Sequence, residues 1–282
     1  MARMRPVDEQ TILVTGATDG LGRSLARELA SRGAAVLLHG RTEARLADTR
    51  REIAEATGSD RLRTYRADLS SLEQVRRLGR EVGGAEERLD VLVNNAGIAG
   101  GGPRQESADG LELRFAVNYL APFLLTHLLL PLLGRSAPAR VVNVASVGQA
   151  AIDFDDLLLE RGYEGLRAYR QSKLAQIMFT FELAERLHAD GESGVTVNAL
   201  HPATLMNTKM AFETFGYTMS TVEDGVEATL RLAIAPELEG VTGRYFDRLR
   251  EARANAQAYD REARRRLWES SEALAGLERH HA

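Results

Sequence analysis

Short aliphatic runs alternate with helical patterns along most of this chain, and that alternation limits the fold more than any other feature. The runs fall at 11–15, 34–38, 62–67, 89–93, 140–145 and 195–200, with a weaker one at 243–246. Between them lie stretches of helical spacing, as in Leu21, Leu25 and Leu29, then 42–57, 72–82, 115–133 and 167–188. An unbroken aliphatic strand suits a sheet covered on both faces, because neither side meets water. Alternation with amphipathic helices puts those covers in place as crossover connections and makes the strands parallel.

The pattern predicts an α/β fold: one doubly wound, Rossmann-like parallel sheet of about seven strands with helices on both faces. The 282 residues contain no internal repeat and no Pro- or Ser-rich linker, so a single domain is expected over 8–250. Within it, about 203–222 reads as a lid. Residues 251–282 read as a C-terminal helical extension and tail; 248–266 is densely charged, and a partly disordered tail is the alternative.

Composition excludes several functions. The net charge of -4 gives no global attraction to nucleic acid or anionic lipid. There is no cysteine, hence no disulfide, thiolate nucleophile or Cys-based metal site, and a cytoplasmic location is expected. The basic N-terminus lacks the apolar core of a signal peptide. The most apolar stretch, 119–133, falls short of the ~20 residues that span a bilayer. Pro122, His127 and Pro131 interrupt it, so a buried helix is expected there and no membrane span. No metal site is expected, including in the tail at 278–282.

The first run leads into Thr15-Gly16-Ala17-Thr18-Asp19-Gly20-Leu21-Gly22. Glycines between a first strand and first helix allow close approach to a pyrophosphate, whose charge the helix N-terminus stabilises. Asn94-Asn95-Ala96-Gly97 follows the fourth run. Ser146 ends the fifth, at the sheet edge where ligands of open α/β folds bind. Tyr169 and Lys173, four apart on one helix, share a face, and an ammonium beside a phenol favours the phenolate. That is a route to a general acid/base from a residue with an ordinary pKa of ~10.

The Gly-x-x-x-Gly-x-Gly spacing resembles that of the short-chain dehydrogenases/reductases. Asn94 to Gly97 match that family's motif, and Asn118, Ser146, Tyr169 and Lys173 match its catalytic tetrad in order. The resemblance covers 11–246. It implies that Ser146 binds a substrate carbonyl oxygen and that Tyr169 exchanges a proton with that oxygen. It implies that Lys173 lowers the tyrosine pKa and holds the nicotinamide ribose, and that Asn118 binds water in a proton relay. It implies dinucleotide contacts from Gly16, Thr18, Asp19, Gly20, Leu21, Gly22, Asn95, Ala96, Gly97, Tyr169, Lys173 and Pro202. Thr208 lies where relatives contact the carboxamide. Asp68 and Leu69 resemble the pair beside adenine, although Asp68 could equally cap the next helix.

His39-Gly40-Arg41 holds no acid for the 2′-hydroxyl of NAD, and Arg41 offers a guanidinium to the 2′-phosphate of NADP. NADP is expected over NAD. The long interval between Ser146 and Tyr169, and Leu267-Trp268-Glu269, resemble the branch with retinol dehydrogenases and protochlorophyllide reductases. That resemblance implies an architecture rather than a substrate. His201-Pro202-Ala203 departs from the usual Pro-Gly pair, and His201 is expected to be structural. Met206, Met210, Phe212, Phe215, Tyr217 and Met219 suit either a bulky apolar ligand or an ordinary hydrophobic lid.

The leading expectation is an NADP-dependent oxidoreductase interconverting a carbonyl and an alcohol of a hydrophobic small molecule. The alternative is a catalytically silent dinucleotide sensor on the same fold. Family members pair through long helices, which implies a homo-oligomer joined near 115–133 and 174–187.

Overall fold

The computed structural model describes residues 3–189, 194–208, 212 and 216–277. Met210, Phe215 and the tail at 278–282 lie outside the described residues.

Strand β1 (Thr11–Val14) is buried throughout. It is an interior strand of an eight-stranded sheet with β2 (Ala35–Gly40), β3 (Leu62–Arg66), β4 (Val91–Asn94), β5 (Ala139–Val144), β6 (Val195–His201), β7 (Arg244–Asp247) and β8 (Arg250–Glu251). The order is β3-β2-β1-β4-β5-β6-β7-β8. The first seven strands run parallel and β8 returns antiparallel to β7. The order reverses between β1 and β4, which opens a crevice at their carboxyl ends. The expected seven strands are therefore joined by an eighth: Arg248 takes φ 54 and turns the charged chain back on itself, where the pattern alone suggested helix.

Each face has its own core. Leu21, Leu25 and Leu29 of α1 (Gly20–Ser31), Leu46 and Ile53 of α2 (Glu43–Thr57), and Ala228 and Leu232 of α6 (Val222–Ile234) share one core with Ile12 and Val14. The opposite face carries α3 (Leu72–Ala85), α4 (Leu113–Ser136), α5 (Gly165–Ala189) and α7 (Arg261–Ala275), over Leu13, Leu92 and Val141. Alternate side chains of β1 thus feed different cores, as the two-residue period of a strand requires.

Helix α4 is not uniform. A π-turn over Ala116–Leu120 links its first turn to the regular helix Ala121–Ser136. It runs for 24 residues, and its most apolar window has a mean hydropathy of 1.6, which by length and composition alone would suffice for a membrane span. The length argument against a span is therefore corrected. Its apolarity has another cause, since 78% of the most apolar window is buried within the fold.

Helix α7 lies across α4 and α5. Trp268 sits 5.2 Å from Phe123, 4.9 Å from His127 and 6.0 Å from Phe179, ring centre to ring centre. Tyr119 and Ser271 hydroxyls are 2.6 Å apart, and Arg264 pairs with Glu182 and Glu185. The helix face offered by the sequence for subunit pairing is in part covered by the chain's own α7.

Candidate active site

Everything in the site is arranged around the β1/β4 crevice. Gly16 has φ +65 and Gly20 φ +46, where a side chain is strained. A Cβ on Gly22 would lie 2.2 Å from the Gly16 carbonyl oxygen and 2.5 Å from Asn95 Nδ2, so only glycine lets the loop close over the start of α1. Asp19 caps that helix by accepting from the Gly20 amide. Burial alone would raise the Asp19 carboxyl, but Arg45 and the Gly20 amide together hold it below the usual range.

The loop is tied to its neighbours. Thr15 Oγ1 accepts from the amides of Asn95 (2.9 Å) and Ala96 (3.0 Å), and Asn95 Nδ2 donates to the Thr15 carbonyl at 2.8 Å. His39 Nδ1 accepts from Gly16 N at 3.1 Å, so its proton sits on Nε2, 3.1 Å from the Ala67 carbonyl. Burial lowers His39 to about 4, against the opposing pull of Ala67 and Asp68, and keeps it neutral. Sequence reasoning missed the roles of Thr15 and His39; a histidine inside an aliphatic strand was the available signal.

Arg41 is exposed just past β2, and Thr18 packs under that strand end, its methyl 2.6 Å from a Cβ built on Gly40. Leu69 is buried after β3. Asp68 Oδ1 accepts from both the amide (2.9 Å) and hydroxyl (2.8 Å) of Ser70, while Ser71 caps α3. The helix-capping alternative for Asp68 is thus met by its neighbour. Pro202 is buried beyond β6, and the Thr208 methyl reaches the outer side of Gly20, 3.1 Å from a Cβ built there. This loop, α1 start and strand-end set fits a dinucleotide: a glycine-only cradle meets a helix N-terminus at the switch point.

The catalytic candidates converge at the end of β5. Buried Asn118 lies within the π-turn of α4. Its Oδ1 accepts from Ile98 N at 2.7 Å, and its Nδ2 donates to Ile98 O at 3.1 Å and Ser172 Oγ at 3.0 Å. A π-turn shifts the helical phase, a device frequent at functional sites. Ser146 is positioned by Tyr245, whose hydroxyl donates to the Ser146 carbonyl at 3.1 Å. A Cβ on Gly148 would lie 3.5 Å from Ser146 Oγ and 4.0 Å from Tyr169 Cε1, so glycine keeps the space beside both open.

Lys173 does not do what its spacing suggested. Its Nζ donates to the Val144 carbonyl (2.8 Å) and Gln176 Oε1 (2.9 Å), and stands 5.8 Å from the Tyr169 ring centre. Burial pushes Tyr169 upward from its ordinary value, and the Ser146 hydroxyl, donating to the phenolate, opposes that rise. Burial lowers Lys173 to about 7. Both groups therefore favour neutrality in the cofactor-free protein, and the expected depression of the tyrosine by the lysine is not a feature of this state. Behind Lys173 runs a buried polar chain: Thr180 donates to the Gln176 carbonyl, Asn143 to Thr180, and Asn94 to Asn143. His201 bonds Thr204 at 3.1 Å and is lowered to about 4 by burial, consistent with a structural part.

A parallel doubly wound sheet, a glycine cradle at its switch point and a Ser-Tyr-Lys group at the next strand end define a dinucleotide-dependent oxidoreductase. Residues 10–215 match the short chain dehydrogenase family, and the chain belongs to it. It is 41% identical to retinol dehydrogenase 13 of Mus musculus over 286 residues, covering 95% of this chain and 84% of that protein. It is 40% identical to retinol dehydrogenase 14 of Homo sapiens over 295 residues, covering 95% and 87%. These place it in the retinol dehydrogenase-like branch. Among solved structures, an uncharacterised protein from Mycobacterium paratuberculosis superposes with TM-score 0.77 at 31% identity, covering 96% of this chain and 94% of the other. A short chain dehydrogenase of Shigella flexneri complexed with NADP gives 0.71 at 28% identity, covering 88% and 100%.

Proposed function

We propose that the protein is an NADPH-dependent reductase and dehydrogenase of a hydrophobic carbonyl/alcohol pair, with Tyr169 as the general acid/base. The observation that carries this reading is the convergence of Ser146, Tyr169 and Lys173 beside a glycine-only dinucleotide cradle. Arg41, with no acid at 39–41, supports NADP over NAD, as do structural relatives complexed with NADP and NADPH. Gly16 to Gly22, Asn95 to Gly97, Pro202 and Thr208 would hold the cofactor, with Arg41 at its 2′-phosphate and Asp68 and Leu69 at its adenine. When bound, NADPH supplies the hydride for the carbonyl carbon.

The chain's own residues handle the oxygen. Ser146 Oγ holds the carbonyl oxygen, and Tyr169 gives it the phenolic proton, completing the alcohol; in oxidation the phenolate takes that proton back. A tyrosine kept protonated by burial suits the reductive direction. Lys173, which donates to Val144 and Gln176 in this structure, would hold the ribose hydroxyls of the bound cofactor and favour the phenolate. Asn118 carries water that returns a proton. Phe212, Tyr217 and Met219, 62%, 58% and 66% exposed, favour a bulky apolar substrate that would cover them. The absence of cysteine suits a reducing cytoplasm.

Nicotinamide fluorescence titrations with NADPH and NADH, then a carbonyl panel including all-trans-retinal and short aldehydes, test the reading. Tighter NADPH binding with consumption by a panel member is expected. Tight binding without turnover would favour the dinucleotide sensor, and no binding would overturn both. Tyr169→Phe should remove turnover while NADPH affinity stays within about twofold, since the phenol acts on the transferring proton rather than on ground-state binding. Arg41→Asp should weaken NADPH more than NADH.

A further inference from the structure

Ala99-Gly100-Gly101-Gly102 follows the Asn94–Gly97 motif and leans directly on the helix of Tyr169. A Cβ on Gly100 would lie 3.0 Å from Tyr169 Cβ, and one on Gly165 would lie 2.9 Å from the Gly101 backbone. Gly101 and Gly102 adopt φ +114 and +72. A glycine run loses more conformational freedom on ordering than any other sequence, so it does not hold such a position unaided.

Arg114, buried at the start of α4, is the group that holds it. Its Nε donates to the Ala99 carbonyl at 2.9 Å, and Nη2 donates to the Gly101 carbonyl. Nη1 donates to the Tyr163 hydroxyl at 2.5 Å and lies 3.5 Å from Glu112 Oε1. Tyr163 donates in turn to Glu112 Oε1 at 2.9 Å, and Glu112 Oε2 accepts from Phe115 N at 2.7 Å. Glu112 is 1% and Arg114 6% exposed. A buried ion pair gives little net stability over an apolar replacement, so its retention points to geometry. Hydrogen bonds from an ionised donor are about twice as strong as neutral ones, which suits the anchoring of a glycine run.

We infer that Arg114, aligned by Glu112 and Tyr163, is a positioning residue that fixes the 99–102 loop as the substrate-side wall beside Tyr169. The inference rests on the oxidoreductase reading for its kinetic consequence but not for the anchoring itself. The cluster joins the substrate wall to two other parts of the site. Glu112 caps the helix that leads to Asn118, and Tyr163 belongs to the long interval between Ser146 and Tyr169.

Arg114→Met, Arg114→Lys and Tyr163→Phe test it. Hydrogen exchange of the cofactor-free proteins should quicken in peptides covering 98–104 for both Arg114 variants, because lysine lacks the fork that reaches two carbonyls. Tyr163→Phe should give a smaller, similarly confined change. NADPH affinity by fluorescence should stay within about twofold, while kcat/KM for all-trans-retinal falls about tenfold to a hundredfold, the scale of a displaced positioning group. The loss for a short aliphatic aldehyde should be smaller, as it needs less of the wall.

Unchanged exchange at 98–104 in Arg114→Met would overturn the anchor. So would faster exchange across the whole chain in both Arg114→Met and Tyr163→Phe, which marks a general core residue. If the wild-type protein reduces no carbonyl, the oxidoreductase reading fails, and local exchange still decides the anchor.

Discussion

At the scale of single residues, the site depends on atoms that are missing as much as on those present. Gly22→Ala would drive a methyl group against the Gly16 carbonyl and Asn95, so NADPH binding should be lost while the sheet still forms. Fluorescence titration with circular dichroism checks both halves. Asn118→Leu would remove the partner of the amide and carbonyl of half-buried Ile98 and cost about 1–3 kcal/mol in all. Urea denaturation measures it. Lys173 yields a pH prediction. The unfolded lysine keeps its proton to its ordinary value of 10.5, whereas the folded one releases it near 7. The unfolded state binds more protons between those limits, so stability of the cofactor-free protein should rise with pH across that window. In Lys173→Met the rise should flatten, as denaturant midpoints from pH 7 to 10 would show.

At the scale of elements, the sequence was most readable where one physical demand acted alone. The strands buried on both faces had to be aliphatic, and β1 to β7 fall where those runs lie. The glycine loop and the order of Asn118, Ser146, Tyr169 and Lys173 were legible for similar reasons, because each sits at the edge of such a run or on a long helix. Where two demands competed, the pattern failed. The π-turn leaves the apolar spacing of α4 intact, since every residue of Ala116–Leu120 is buried and no polar phase marks the slip. Helix α6 starts where the expected lid ends and has no counterpart among the helical stretches read from spacing, although Thr221 and Asp224 form a capping box at its start. The bonds of Lys173 to Gln176 and of Arg114 to the 99–102 loop depend on side-chain reach, which spacing does not encode.

Over the whole molecule, α7 decides what α4 and α5 expose. The resemblance implied pairing of subunits through these helices, yet Trp268 and Ser271 already occupy part of that face. The protein should therefore elute as a monomer in light-scattering chromatography at micromolar concentration. Trp268→Ala should cost roughly 3–5 kcal/mol and uncover apolar surface. A dimer in the wild type that survives Trp268→Ala would show that pairing uses another face.

The same helix sets an order of events at birth. Its partners Phe123, His127 and Phe179 are synthesised well before Trp268, so a nascent chain presents an aromatic surface whose cover has not yet been made. Exposed apolar surface of this kind promotes aggregation. A nascent chain halted after α5 has emerged and before α7 has would keep that flank bare, and quality-control factors that recognise hydrophobic surface would have their target there.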